Sequence, residues 1–446
     1  MEPLSWGEII VRILWQFTPV WISLIAVFAL SITYKRRLGL YGKLFDSTIG
    51  MIGFALVMFW VFTGFYAAFD LIATHDPLAQ ASGMKNKVPG TFWDGAEDGQ
   101  YAYYLLGGDN LARDVFSRMV KGATRVLMIA PLATIFAFMV GVTLGLPAGY
   151  FTGTAVQRGT VQYLLWALSA IAVLFVLITG GLASAITLAV VLALINFILT
   201  VTTLDTMLSF LSNLVLAFPV ILLFYLLVTP EIVQTGIPSY MAVVLFVFPV
   251  VFFAVLFNSR FHTQPTKQRT YVGATIVIGV FLYACVISTP GTVIDFMPRS
   301  IDLVPMEPNL LVVFVSVVFV NSPTVFRIVR GLVLDIRTRD YVAAGQTRGE
   351  SPWYIMLWEI LPNARGPLIV DFCLRIGYTT ILLGTLGFFG LGVSPESPDW
   401  GSTINEGRKL LSIFPHPALP PALALMSLVL GLNLLADGLR EESLRD

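Results

Sequence analysis

The stretch LDIRTRDYVAAGQTRGESPWYIMLWEILPNARGP, residues 334–367, decides how the rest of the chain is read. Asp340 can N-cap a short helix beginning at Tyr341. Ala343 and Ala344 favour that helix, and Gly349 suits a left-handed residue just past its end. Ser351 and Pro352 then fit the N-cap and first position of a second helix. Trp353, Leu357, Ile360 and Leu361 recur at three- and four-residue spacing and give that helix one apolar face. Pro362 and Asn363 end it. The spacing predicts two short helices at an angle. Ala344 and Gly345 leave room for close backbone approach, so the first helix can enter a groove on a partner. A plain surface hairpin tying two spans together is an equally open reading of the same residues.

Outward from this stretch the chain is mostly apolar. Of 446 residues, 57% are hydrophobic and only 12% charged, with a mean hydropathy of +0.82. A soluble domain carries about 25% charged residues. The composition excludes a soluble enzyme, a disordered chain and a single-anchor protein, and predicts an all-α polytopic membrane protein. Net charge is +0, so no global field draws nucleic acid. Cys285 and Cys373 lie far apart in apolar stretches, and His75, His262 and His416 are scattered, which favours neither a disulfide framework nor a metal site.

Eleven apolar segments read as spans, at roughly 10–33, 49–72, 124–150, 161–179, 182–200, 206–229, 239–258, 271–289, 309–330, 367–391 and 418–438. The first lacks a basic start and a small-residue cleavage site, so it reads as a retained helix. Three connections are basic: Lys35, Arg36, Arg37 and Lys43 after the first span; Arg260, Lys267 and Arg269 after the seventh; Arg337, Arg339 and Arg348 after the ninth. With eleven spans all three share one side. That side should be the cytoplasm, with the N-terminus outside and the C-terminus inside. The loop from about 73 to 123 then faces out, with mixed charge, as does the proline-containing connection 290–308.

Before the third span, Leu111, Val115, Phe116, Met119 and Val120 form an apolar stripe, with Arg113, Asp114, Arg118 and Lys121 mostly off it. Asp109 or Asn110 can cap this segment, which reads as an amphipathic helix on the outer surface. Gly141, Gly145 and Gly149 repeat G-x-x-x-G and predict close helix packing. Asp371 and Arg375 can pair along one helix face. Asp205 is placed at the membrane interface, near a helix N-terminus. Neither Lys43 nor Lys121 follows the glycine spacing of a phosphate-binding loop, and no hydrolytic motif is present, so the chain should not hydrolyse ATP itself.

The 334–366 stretch resembles the EAA loop of ATP-binding-cassette importer permeases. Ala343, Ala344 and Gly345 stand at the E-A-A places, Gly349 at the motif's glycine, and Ile360, Pro362 and Asn363 at its ending. Two positions depart: the glutamate is Ala343 and the second alanine is Gly345. The first departure removes a polar contact expected with the ATPase. A second block, Leu106-Gly107-Gly108-Asp109-Asn110-Leu111-Ala112-Arg113-Asp114-Val115-Phe116-Ser117-Arg118, is similar to the L-G-T-D-x-x-G-R-D-x-x-S-R signature of the C-type permease subunit of dipeptide and oligopeptide importers. There Gly108 replaces threonine and Ala112 replaces glycine. The blocks 141–151, Leu386–Gly401 and Asn433–Arg440 also fit that family.

The resemblance implies a six-helix importer core with about five added transmembrane helices. Residues 1–47 would hold an extra span and its linker, 48–153 the first core spans and outer segment, and 154–203 an inserted hairpin. Residues 204–230 would be a core span, 231–308 a second inserted hairpin and outer loop, and 309–446 the C-terminal core with the coupling loop 334–366. The additions should pad the lipid-facing periphery or contact a partner. The implied function is the permease subunit of a peptide-class importer in the inner (plasma) membrane. Its partners would be membrane lipid, a second homologous permease, two ATPase subunits that use ATP and Mg, and an external solute-binding protein. This chain itself would bind no cofactor or metal. In the family's alternating-access mechanism the coupling loop carries ATPase motion to the spans. Its functional residues would be Asp340, Tyr341, Ala343, Ala344, Gly345, Gly349, Ile360, Pro362 and Asn363, with Asp109, Arg113, Asp114, Ser117 and Arg118 outside. An ion-gradient-driven secondary transporter is the alternative, although no internal repeat supports it.

Overall fold

The computed structural model describes residues 2–37, 39–96, 101–153, 189, 204–234, 237–287, 308–391 and 397–443. The expected spans near 161–179 and 182–200, most of the outer connection 290–308, and Gly392, Val393 and Pro395 lie outside the described residues. Six described helices are long and apolar enough to cross a membrane. They are Thr18–Tyr34 (α2) with the turn that follows it, Thr48–Ala68 (α3), Val115–Tyr150 (α4), Pro308–Ile336 (α9), Arg365–Phe388 (α12) and Leu419–Ser443 (α14). A short helix, Trp6–Gln16 (α1), precedes α2. Two further apolar helices, Ile237–Arg260 (α7) and Pro265–Ile287 (α8), occupy the expected seventh and eighth spans.

The sixth expected span is not one straight helix. Leu204–Ala217 (α5) and Val220–Val228 (α6) meet at 83°. Pro219 lacks an N–H and disfavours helical geometry at Phe218, so the helix breaks there although its hydropathy is continuous.

Glycines set the closest crossings. On α4, Gly141, Gly145 and Gly149 lie in register with Val325, Val329 and Val333 of α9. A Cβ at Gly145 would come 2.9 Å from two atoms of Val329, and one at Gly141 2.5 Å from Val325 Cγ1. The G-x-x-x-G-x-x-x-G stripe thus receives a valine ridge with the same four-residue period, and the two helices run parallel. Around this crossing Ala133, Ala137, Phe224, Phe246, Phe314, Val317 and Leu383 form a buried cluster.

The bundle has two distinct ends. At one, Leu4 N–H donates to Gly90 O (3.0 Å) and Gln16 Nε2 to Ile72 O (3.1 Å). Trp400 Nε1 donates there to Met119 O (2.7 Å). At the other, Arg337 donates to the carbonyls of Gly149 and Tyr150 (both 3.1 Å), while Ser47 Oγ meets Glu441 Oε2 at 3.5 Å. The three basic connections gather at this second end, which we call the basic end.

Segments read as additions behave differently from one another. α2 lies against α3 through Trp21 and Phe59 (5.2 Å between rings) and leaves Ile22 and Ile25 exposed. α8 packs on α7 through Phe257 and Tyr271 (5.6 Å) and exposes Val277 and Ile278. These faces suit lipid. α7 does not behave as padding: Ala242, Leu245 and Phe246 are buried in the central cluster, and Phe246 stacks on Phe314.

Candidate functional site

The stretch after α9 folds as two short helices at the basic end. The first is Asp340–Thr347 (α10). Asp340 is its first residue and not its cap; Arg339 takes the N-cap place and gives no side-chain hydrogen bond. The chain leaves α10 through Gly349 at φ 75°. Gly349 N–H donates to Gln346 O (3.0 Å) and Glu350 N–H to Gly345 O (3.3 Å). This pair of bonds is the Schellman ending, which needs a left-handed residue at Gly349.

The second helical run, α11, comprises Pro352–Tyr354, a π-helical turn Ile355–Ile360, and Leu361–Asn363. Ser351 caps it, accepting from Tyr354 N–H at 3.3 Å, with Pro352 at the first position. Pro362 cannot donate to the preceding turn, and the wider π turn lies just ahead of it. Asn363 Nδ2 donates back to Glu359 O (2.6 Å) and closes the run before α12.

One side of the pair is fixed. Val342, Ile355, Met356, Leu357 and Ile360 are buried together with Val142 and Leu146 of α4 and Val329 and Val333 of α9. Gly345 is buried here too, facing Ile355. The expectation that Gly345 offers its backbone to a partner is therefore corrected: the α10 helix turns Gly345 inward. Asp340, Tyr341, Ala343 and Ala344 are exposed, as are Gly349, Pro362 and Asn363. Arg348 pairs with Glu359 (2.7 Å) and ties α10 to α11 across the turn.

A third partner was not visible from sequence. Trp358 Nε1 donates to Ser259 Oγ at the end of α7 (3.1 Å), and the Arg260 guanidinium lies 4.7 Å from the Trp358 ring centre. His262 stands 3.9 Å from Glu350 and packs edge-on against Tyr354. Nothing local in the sequence links Trp358 to a helix about a hundred residues earlier.

The outer signature also folds unlike its expectation. It forms no separate surface helix. Residues 105–114 make a compact loop beside the two-stranded pair Thr91–Phe92 (β1) and Tyr103–Tyr104 (β2). Asp114, not Asp109 or Asn110, caps the following helix, accepting from Ser117 N–H (3.0 Å), and that helix continues unbroken as α4. Ala112, at the resembled glycine place, takes φ 64°. Gly108, at the threonine place, lies so close to Met84 O that a side chain there would collide with it.

Asp109, Arg113, Asp114, Ser117 and Arg118 are all buried rather than turned to water. Asp109 accepts from Arg113 N–H (2.8 Å) and Arg113 Nε (2.7 Å). Arg113 also pairs with Glu406 on the helix Trp400–Arg408 (α13), and Arg118 lies 3.5 Å from the same carboxylate. Arg118 donates to Ser397 O and Thr403 Oγ1 (both 3.2 Å). Asp114 accepts from Thr74 Oγ1 at 2.8 Å, while Ser117 Oγ accepts from Thr74 N–H and His75 N–H. The block is a buried charge network that stitches the 105–114 loop to α13. Glu406, 293 residues from Arg113, carried no sequence signal. Nearby, burial pushes the Tyr104 phenol up and the His416 imidazole down from their ordinary values.

Inside the bundle, Asp371 and Arg375 pair at 3.4 Å as their spacing predicts. Asp205 does more than sit at a helix start: it receives Arg330 Nη2 of α9 (2.7 Å) and Thr152 Oγ1 (3.2 Å). No group of three or more His, Cys, Asp or Glu side chains converges among the described residues.

The family described as binding-protein-dependent transport system inner membrane component matches residues 185–441, more than half of the chain. The chain is 38% identical over 136 residues to the glutathione transport system permease protein GsiD of Pectobacterium atrosepticum, covering 30% of this chain and 45% of that protein. It is 39% identical over 129 residues to GsiD of Escherichia coli O1:K1 and of Shigella flexneri serotype 5b, covering 29% of this chain and 43% of each relative. The alignments thus span less than half the length of these curated relatives.

Proposed function

Because the chain belongs to the family of binding-protein-dependent transport system inner membrane components, we propose that it is the permease subunit of an importer for peptide-type solutes, driven by ATP hydrolysis on separate subunits. It is a multi-pass inner-membrane permease component. The basic end faces the cytoplasm in this reading, with the N-terminus and the buried charge network outside.

The observation that carries the proposal is the asymmetry of α10. Val342 and Gly345 are buried against α11 and the spans, while Tyr341, Ala343 and Ala344 are exposed on its other side. A short helix packed firmly on one face and small-surfaced on the other can seat in a groove of an ATPase subunit and move the spans as a unit. Ala343 leaves that seat without the glutamate of the resembled motif, so the contact rests on Tyr341 and the small residues. A second permease would complete the pathway, and an external binding protein would deliver solute to the network end. The relatives are named for glutathione transport, so a small peptide-like solute with free carboxylates is the first class to test.

The test is reconstitution of the chain with its co-purified ATPase, second permease and binding protein in proteoliposomes. Uptake should require ATP in the compartment that faces the basic end and binding protein in the other. A homo-oligomer that accumulates solute on an ion gradient without ATP would sink the proposal.

A further inference from the structure

Arg125, on α4, faces inward at the place where an open cleft meets the bundle interior. The cleft has a volume of about 710 Å³ and lies at the outer end. That volume falls in the range of small-molecule sites. Asp70, His75, Asp76, Lys121 and Pro398 line it together with Arg125. Arg125 also borders a second, much smaller void, walled by Val126, Val313 and Leu383 and by Asp399. Its side chain therefore stands between the open cleft and the space enclosed by α4, α9 and α12, which Asp399 also borders.

The cations of the cleft differ in what they do. Lys121, one turn before Arg125, is paired with Asp70 at 2.5 Å. Outside the cleft, Arg113 and Arg118 are held in the buried network. Among the described residues Arg125 makes no hydrogen bond or ion pair; the Asp399 carboxylate borders the same small void but accepts from Ser402 N–H instead. A guanidinium inside a spanning helix costs free energy unless an anion meets it, and its planar fork matches a carboxylate with two parallel bonds. On the rim, Asp70 is taken up by Lys121, and Asp76 is left to accept from an ammonium. Asp76 at the mouth and an arginine with no hydrogen-bonded anion at the floor suit a zwitterion that enters with its carboxylate leading.

We propose that Arg125 is the carboxylate-binding residue of a solute station at the outer mouth of the translocation path, for zwitterionic peptide-type solutes. This inference rests on the importer reading above and names where the solute is first held.

The test uses the reconstituted complex of both permeases, ATPases and binding protein, with trialanine as the probe. Arg125→Gln should lower trialanine uptake about tenfold or more at saturating binding protein, the loss expected for one charge-assisted pair. Arg125→Lys should recover part of that loss, and ATP hydrolysis stimulated by the binding protein should persist in both variants. Uptake by Arg125→Gln within twofold of the unaltered chain would overturn the assignment and leave the importer reading standing. Loss of ATP hydrolysis together with uptake would make Arg125 structural and also overturn it. Absence of ATP-driven trialanine uptake by the unaltered complex would overturn the peptide-type reading itself.

Discussion

Trp358 of α11 donates its indole N–H to Ser259 Oγ at the end of α7, 3.1 Å away, with Arg260 held over the same ring. α7 lies outside the resembled six-span core, yet it braces the segment proposed to meet the ATPase. Trp358→Phe keeps the apolar body and removes the donor, so it should cost about 1 kcal/mol. Trp358→Ala should cost about 3 kcal/mol because it also opens a cavity among buried neighbours. If the brace transmits motion, both variants should hydrolyse more ATP per solute imported. Thermal unfolding in detergent and the uptake-to-hydrolysis ratio check the two effects separately. An unchanged ratio in Trp358→Ala would confine the contact to stability.

Gly349 and Gly345 lie four residues apart and should respond oppositely to a side chain. Gly349 holds φ 75°, so Gly349→Val forces a β-branched residue into left-handed backbone at a cost of about 1–2 kcal/mol. It should misplace α11, lowering uptake and stimulated ATP hydrolysis while membrane insertion persists. At Gly345 a new Cβ would meet Ile355 Cγ1 at 3.6 Å, ordinary contact, within a helix. Gly345→Ala should therefore be neutral or stabilising by up to about 1 kcal/mol. Uptake and melting temperature of both variants decide it, and a functional Gly349→Val would count against the coupling role.

What could be read from sequence was local. Ser351-Pro352 and Gly349 announce their caps because capping chemistry acts over three or four residues. The Gly141, Gly145, Gly149 stripe announces a close crossing by its period, although not that Val325, Val329 and Val333 fill it. The outer signature was misjudged because local amphipathicity assumes that charges seek water. Arg113 and Arg118 are instead satisfied by Glu406, and no window of sequence contains that pair. Asp205 with Arg330 and Trp358 with Ser259 repeat the lesson: polar partners brought together by tertiary packing leave no periodic trace. At Pro219 the signal was local, but continuous hydropathy outweighed it.

Asp399 gives a pH-dependent prediction. It caps α13 and is almost wholly buried, and desolvation raises its carboxyl above the ordinary range despite the N–H groups of Ser402 and Gly401 and the nearby Arg125 and Arg118. A raised folded-state value means that this group's contribution to stability is present below the unfolded carboxylate range and is lost as pH rises through the folded value. Asp399→Asn keeps an acceptor for Ser402 N–H and removes the charge. The variant should match the unaltered chain in acid and exceed it increasingly toward neutral pH. Thermal unfolding across pH 4 to 8 checks this (about one unit on either side of the window is enough). A pH-independent difference would refute the burial argument.

Glu406 closes the buried network by receiving both Arg113 and Arg118. Asp109 remains on the other side of Arg113, and Asp399 lies close to Arg118, so the two guanidinium groups sit among several carboxylates. Glu406→Gln removes the carboxylate that meets both buried guanidinium groups, and should cost about 3 kcal/mol. Arg113→Gln alone should cost a similar amount, because it strands Asp109 and Glu406 with only Arg118. The double variant restores the charge balance with groups that still hydrogen-bond, and should lose much less than the sum of the two. A double-mutant cycle on detergent-solubilised protein measures the coupling, expected to be at least about 1 kcal/mol. Strictly additive losses would mean that α13 is held by its other ties, such as the hydrogen bond from Trp400 Nε1 to Met119 O of α4. The network would then be dispensable for holding the cleft in which Arg125 stands.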